Sequence, residues 1–296
     1  MNPNILLADA LRAEGIPLPQ EIVTREKFTR WGKHERFWAK AVSNGFIYGD
    51  FSKALSKSVF PKMQGKLPSS FIEVRKKCLK EQKLAAQREQ EKYWQFCSIK
   101  AQRIWDRASF VQTHPYLTKK RISADGLKGT VSGSLIIPLS DTDGKIWTLQ
   151  FITAAGKKFY MKSGLKKGKF HMFGHPEKRI FLCEGYATAA SVFEAVNDCC
   201  VACMDAKNIQ ETAGELKAKY PATDFVFCAD DDKYSGCNTG MYSARNAALA
   251  FKGIVIHPFF KEEDYFRMPT DFNDVACLYG IEQMRHQIFD IWGIKP

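Results

Sequence analysis

The stretch RIFLCEGYATAASVFEAV, residues 179–196, sets a four-residue apolar run, IFLC, against a glutamate and a glycine, then an alanine-rich segment with no proline. The run reads as a buried strand, Gly185 as the turn behind Glu184, and YATAASVFEAV as a helix. The same alternation repeats downstream. CCVAC is a strand, NIQETAGELKAKY a helix, DFVFCA a strand, TGMYSARNAALAF a helix, GIVIHPF a strand, and DVACLYGIEQMRHQIF a single closing helix. Strand and helix joined by short links call for a mostly parallel sheet covered on both faces, whose ligands gather at the carboxyl ends of the strands.

Acidic residues fall at that one edge. Glu184 follows the first strand, Asp230, Asp231 and Asp232 follow the third, and Asp271 and Asp274 follow the fourth, in TDFNDV. Like charges this close repel unless water or a cation relieves them, so the run reads either as a surface turn or as a divalent-metal site. Surface acids would scatter to both ends of the strands, and their placement at one edge favours the metal. Mg²⁺ takes hard oxygen ligands and keeps several waters, so acids on separate loops suffice. In an extended backbone Asp230 and Asp232 face one way and Asp231 the other. Asn238, ahead of a helical run, suits an N-cap.

Upstream the composition changes. Residues 1–180 carry 34 Lys and Arg against 15 Asp and Glu, whereas residues 181–296 carry 10 against 17. A basic body joined to an acidic one fits a polyanion binder with a metal-using centre. Residues 1–65 form a small aromatic-rich region in which KFTRWGKHERFWAKAVSNGFIYGDFSK reads as short strands with turns at SNG and YGD. Trp31, Lys33, Arg36, Trp38, Lys40, Tyr48 and Lys53 there form either a surface for bases and phosphates or a small core. PKMQGKLPSS reads as a linker, and residues 66–110 hold the longest helical segment. Residues 111–178 form a basic α+β subdomain, with GSLIIPL and KIWTLQFI as strands around the turn SDTDG, followed by glycines and lysines suited to a phosphate-binding loop. Residues 179–296 make the last domain.

Nine cysteines, several inside apolar runs, fit a reducing compartment. Cys199, Cys200, Cys203 and Cys228 read as core residues, because a central strand points alternate side chains to opposite faces, and no zinc is expected. The charged N-terminus and the lack of an 18-residue apolar run point to the cytoplasm and away from a membrane. No GxxxxGK[ST] stretch is present, which argues against a P-loop motor.

FLCEGYATAASVFEA, FCADDD and TDFNDV together resemble the Toprim domain of plasmid, conjugative and phage DNA primases of the bacterial type. NTGMYSARNAAL, with Asn238, Gly240 and Ala244, resembles the plasmid branch. HPYLTKKRI and GKKFYMKSG resemble the segment that precedes Toprim in these enzymes, and WGKHERFWAKAVSNGFIYGDFS resembles the amino-terminal region of the conjugative ones. The resemblance implies an α/β Toprim sheet preceded by a basic primase-core region. It implies primer synthesis on single-stranded DNA from nucleoside triphosphates, by nucleotidyl transfer dependent on Mg²⁺ or Mn²⁺. Asp230 and Asp232 would hold metal, Glu184 would share in it or move a proton, and Asp271 and Asp274 stand beside them. Lys157, Lys158 and Lys162 would stabilise developing charge. Together with Lys119, Lys120, Arg121, Trp31, Arg36 and Trp38, they would contact nucleic acid. The zinc ribbon and helicase domain of larger relatives do not occur in this sequence, so a replicative helicase or a partner carrying a zinc-binding domain is expected. A Toprim nuclease and a non-catalytic single-strand binder are the alternatives.

Overall fold

The computed structural model describes residues 3–21, 23, 24, 28–42, 45–53, 55–61, 69–236 and 238–295, and the chain divides into two compact units, residues 1–82 and 83–296. In the first, helix α1 (Pro3–Ala13) precedes strands β1 (Thr29–Trp31), β2 (Phe37–Val42), β3 (Gly45–Asp50) and β4 (Leu55–Val59). The strands form an antiparallel meander in the order β1-β2-β3-β4. Leu7 and Leu11 of α1 pack with Ile16 and Val23 against Ala39, Phe46 and Tyr48, so the helix covers one sheet face.

The meander matches expectation, with one change. YGD is not a turn: β3 runs through Asp50, and a 3₁₀ turn follows at Phe51–Lys53. Asp50 is only 2% exposed and accepts a forked pair of bonds from Arg36, which fixes the strand end. Ser43 and Asn44 of the SNG turn and residues 62–68 of the linker lie outside the described residues. Helix α2 (Ser69–Arg107) is the long helical segment the sequence predicts.

In the second unit, β5 (Ser109–Phe110), α3 (Pro115–Lys120), β6 (Lys128–Gly129), β7 (Leu135–Ser140), β8 (Ile146–Ile152) and β9 (Lys158–Tyr160) come first. Their strands form a five-stranded antiparallel sheet in sequence order. The chain continues as β10 (His171–Phe173), β11 (Arg179–Cys183), α4 (Tyr186–Val196), β12 (Cys199–Ala202), α5 (Ile209–Lys219), β13 (Asp224–Cys228), α6 (Thr239–Phe251), β14 (Ile254–Ile256), α7 (Phe272–Tyr279) and α8 (Ile281–His286). The second sheet has the order β10-β12-β11-β13-β14. β12, β11, β13 and β14 are parallel, and β10 adds an antiparallel edge.

Alternation along β11 explains why both faces are covered. Ile180 and Leu182 point into one cluster with Phe225, Phe227 and residues of α5 and α6. Phe181 and Cys183 point into the other, with Val192 of α4, Val275 of α7 and Met284 of α8. Each fully buried phenylalanine contributes about 1.5–3 kcal/mol. Cys199 and Cys203 fall in the first cluster and Cys200 and Cys228 in the second, as a β-strand requires of small apolar side chains.

The closing helix is broken. Gly280 has φ +90, which ends α7 and starts α8. Nor does the lysine-rich region stand apart from the parallel sheet: Tyr116, Leu117, Leu135, Ile137 and Ile152 share a cluster with Phe181, Tyr186 and Val192. That shared core brings the lysines of one sheet beside the acids of the other. No described helix is long and apolar enough to cross a membrane.

Candidate active site

A cleft of about 300 Å³ opens at the carboxyl edge of the parallel sheet, lined among others by Lys120, Lys158, Glu184, Asp205, Asp230 and Asp271. Each acid arrives there because it follows a strand or starts a helix. Glu184 is the first residue after β11, and Gly185 turns the chain into α4 in extended geometry, with φ −98 and ψ 156. Asp230 stands two residues past β13, and Asp271 is the N-cap of α7.

Charge is held at a cost. Burial first, then Asp232 and Asp205, raise Glu184 to about 7, against Lys158 and a backbone N–H from Ala206. Burial, then Asp271, Glu184 and Asp232, push Asp230 well above the usual carboxylate range. Its Oδ1 is buried with no hydrogen-bond partner. Burial pulls Lys120 down, but Asp271 and Asp274 outweigh it and the ammonium ends above its ordinary value. Lys158 goes the other way, lowered by burial and by Lys120 against the attraction of the acids. Two cations and several carboxylates thus face one space.

Within the aspartate run, Asp230 lines the cleft, whereas Asp231 and Asp232 lie outside its lining. Asp231 receives a bond from Asn238 Nδ2 at 2.8 Å and lies 4.0 Å from Lys233. Asp232 Oδ2 accepts the Gly240 N–H at 3.2 Å, and its charge acts on both Glu184 and Asp230. Asn238 caps α6 by accepting from Met241 N at 3.2 Å. Gly240 is needed for close approach, since a Cβ there would meet the Asp230 carbonyl oxygen at 2.7 Å.

Asp271 and Asp274 depart from the expected pattern of loop ligands. They form a capping box at α7, in which Asp271 Oδ1 accepts the Asp274 N–H at 2.8 Å and Asp274 Oδ2 accepts the Asp271 N–H at 3.4 Å, with the Thr270 N–H also donating to Asp274 Oδ2 at 2.9 Å. Asp274 also lies 3.5 Å from Lys120 Nζ. Asp271 still lines the cleft, whereas Asp274 is occupied by the cap and the lysine. Among the described residues no three metal-ligating side chains converge as a finished cage.

The predicted basic residues separate likewise. Lys120 and Lys158 line the cleft, whereas Lys119, Arg121, Lys157 and Lys162 are exposed and outside its lining. In the N-terminal unit, Trp31 packs on the core and donates from Nε1 to the Pro17 carbonyl at 2.6 Å. Arg36 is locked to Asp50 at 2.7 Å, and Tyr48 is buried. Of the three residues expected to contact nucleic acid there, Trp38 points to the face opposite α1.

Several positions in or beside the cleft escape sequence reasoning. Asp205 follows β12 at the same edge as the other acids, caps a 3₁₀ turn through the Lys207 N–H at 3.0 Å, and repels Glu184. Its place after a strand was the available signal. Tyr116, Gln150 and Tyr160 also line the cleft, and Tyr160 donates to the Met204 carbonyl at 2.8 Å. Asn273, fully buried, donates to the Lys120 carbonyl at 2.7 Å and to Ser191 Oγ at 2.8 Å, tying α3 to α7 and α4.

A parallel sheet with a glutamate-glycine after one strand and an aspartate run after another is the arrangement of the Toprim domain, and residues 179–282 match that family. These residues form a Toprim domain. Beyond it, the chain is 36% identical over 193 residues to a DNA primase TraC of Escherichia coli, covering 60% of this chain and 18% of the relative. A second Escherichia coli DNA primase TraC is 37% identical over 166 residues, covering 52% of this chain and 12% of the relative. The chain therefore spans less than a fifth of the length of these relatives. Among solved structures, the primase fragment of the bacteriophage T7 primase-helicase protein aligns with TM-score 0.46 and 16% identity, covering 61% of this chain and 75% of that one. The zinc-binding and RNA polymerase domains of the Aquifex aeolicus primase align with TM-score 0.46 and 14% identity, covering 97% and 85%.

Proposed function

We propose that this protein synthesises short RNA primers on single-stranded DNA, joining ribonucleoside triphosphates in the cleft between the lysine-bearing sheet and the Toprim edge. One observation carries the reading: Glu184, Asp230 and Asp271 face Lys120 and Lys158 across one cleft, and Asp230 Oδ1 is buried there without a partner. An orphaned carboxylate oxygen amid repelling acids fits a hard divalent cation that completes its shell with water.

Asp230 and Asp232, with Glu184 beside them, would hold Mg²⁺ or Mn²⁺, which supplies charge neutralisation for the triphosphate. Lys158 and Lys120 orient the phosphates and offset the charge that develops as the 3′-oxygen attacks the α-phosphorus and pyrophosphate leaves. Without a cation the Glu184 carboxyl is raised to about 7 by burial and the neighbouring acids; beside the cation it would be ionised and would accept the proton of the attacking hydroxyl. A cytoplasmic site of action and a helicase or zinc-domain partner belong to the same proposal.

The test incubates the protein with single-stranded DNA, Mg²⁺ and labelled ribonucleotides. Short new oligomers that vanish in Asp230→Asn support the reading. A shortened template instead assigns the same acids to hydrolysis, and neither product leaves a binding role.

A further inference from the structure

The face of the N-terminal sheet opposite α1 carries a row of rings. Ala39, Phe46 and Tyr48 face α1, so alternation sends Trp38 and Lys40 to the opposite side. Register places Arg30 and Gly49 beside Trp38, and Ile47 beside Lys40. Phe28 and Phe51 flank the Trp38 ring at centroid distances of 5.5 and 6.0 Å, and they are 49% and 57% exposed. Gly49 makes room, since a Cβ there would meet Trp38 Nε1 at 2.7 Å.

Cations sit among these rings. Lys40 Nζ lies 5.1 Å from the Phe28 centroid, and the Arg30 guanidinium lies 5.6 Å from that of Phe51. Arg30 also reaches exposed Glu35 at 3.5 Å, a contact too loose to neutralise it. Residues 1–82 carry 15 Lys and Arg against 8 Asp and Glu. A peptide-docking face would be apolar at its centre. Flat rings alternating with cations on a sheet match bases that stack and phosphates that need neutralising.

We propose that Phe28, Trp38 and Phe51, with Arg30 and Lys40, form a stacking platform for single-stranded DNA on the N-terminal unit. It rests on the reading of the chain as an enzyme that works on a single-stranded template. Its role is to hold template by base faces and backbone without reading sequence.

The test uses the full chain and a fluorescent oligothymidylate, followed by anisotropy at several salt concentrations. Phe28→Ala with Phe51→Ala is expected to raise Kd roughly tenfold with an unchanged salt slope. Arg30→Ala with Lys40→Ala is expected to lower that slope by about 1.4, since each phosphate contact on a single strand is worth roughly 0.7. An abasic sugar-phosphate oligomer is expected to bind the parent more weakly and to show no further loss in the ring variant. If the alanine ring variant fails to fold, Phe28→Leu with Phe51→Leu keeps the apolar volume and still removes the flat faces. Unchanged Kd and slope in folded variants, or an equal loss on duplex DNA, overturns the platform. The binding arms do not need turnover: a parent that makes no oligomers sinks the proposed activity while these measurements still decide the platform.

Discussion

Replacing Glu184 by Gln removes a charge that the fold itself opposes. The carboxyl is raised from 4.5 to about 7, chiefly by burial and then by Asp232 and Asp205. A folded-state pKa above the unfolded value means the folded chain binds the proton more tightly. Below about 4.5 both states are protonated and Glu184 carries no penalty. Between about 4.5 and 7 the unfolded state has released its proton and the folded state has not, so stability falls as pH rises. Above 7 the loss is complete, and at 1.36 kcal/mol per unit it amounts to about 3 kcal/mol, an upper figure because part of the side chain meets water. Glutamine keeps the shape and can still accept the Ala206 N–H, but it never ionises.

The variant should therefore match the parent near pH 4.5 and exceed it by up to about 3 kcal/mol near pH 8, in the presence of a chelator. Urea unfolding across that range reads the difference as a midpoint shift at constant slope. Added Mg²⁺ should stabilise the parent more than the variant, because the cation offsets repulsion that the variant has already lost. A pH-independent difference, or a variant less stable than the parent near pH 8, refutes the account of the cleft as a strained acidic site. Primer synthesis should be lost while stability rises, a pattern that a purely structural glutamate would not produce.

Gly240→Ala should destabilise by about 1–3 kcal/mol, because the new methyl meets the Asp230 carbonyl oxygen at 2.7 Å, and urea midpoints together with oligomer yield check both the fold and the displaced aspartates. Asn273→Ala removes the amide donor to the Lys120 carbonyl and the Ser191 hydroxyl, leaving the carbonyl only the weak Cys277 thiol at 3.5 Å, and should cost about 1–3 kcal/mol; a thermal midpoint equal to the parent's would show that the amide's tie between α3 and α7 is dispensable. Lys158→Ala should lower oligomer synthesis by roughly 10²-fold. Lys162→Ala, exposed and outside the cleft lining, should change it by only about a few-fold, and side-by-side rates under saturating template compare the two.

The parallel sheet was legible because its evidence is local. RIFLC, CCVA and DFVFC are short apolar runs bounded by turn residues, and helices of fitting length fill the gaps, so periodicity alone places Glu184, Asp230 and Asp271 at one edge. The N-cap at Asn238 and the antiparallel pair around SDTDG were readable for the same reason. Alternation over two residues placed Asp230 in the cleft lining and Asp231 against Asn238, while Asp232, expected beside Asp230, lies outside the lining and accepts the Gly240 N–H.

What distance in sequence conceals is which basic residues meet the acids. Lys120 and Lys158 look no different from Lys119, Lys157 and Lys162 in a string of lysines, and only the packing of Tyr116, Ile137 and Ile152 on Phe181 and Tyr186 selects them. The aromatic N-terminal region left two readings open because rings fill cores and stack bases equally well. Pairing register shows which residues join the core, sending Tyr48 and Trp31 inward, Trp38 to the opposite face, and Arg36 onto Asp50. Spacing along the chain determines local structure and the edge at which loops emerge. Identity of the groups that share a cleft is set by long-range burial, which no short window of sequence contains.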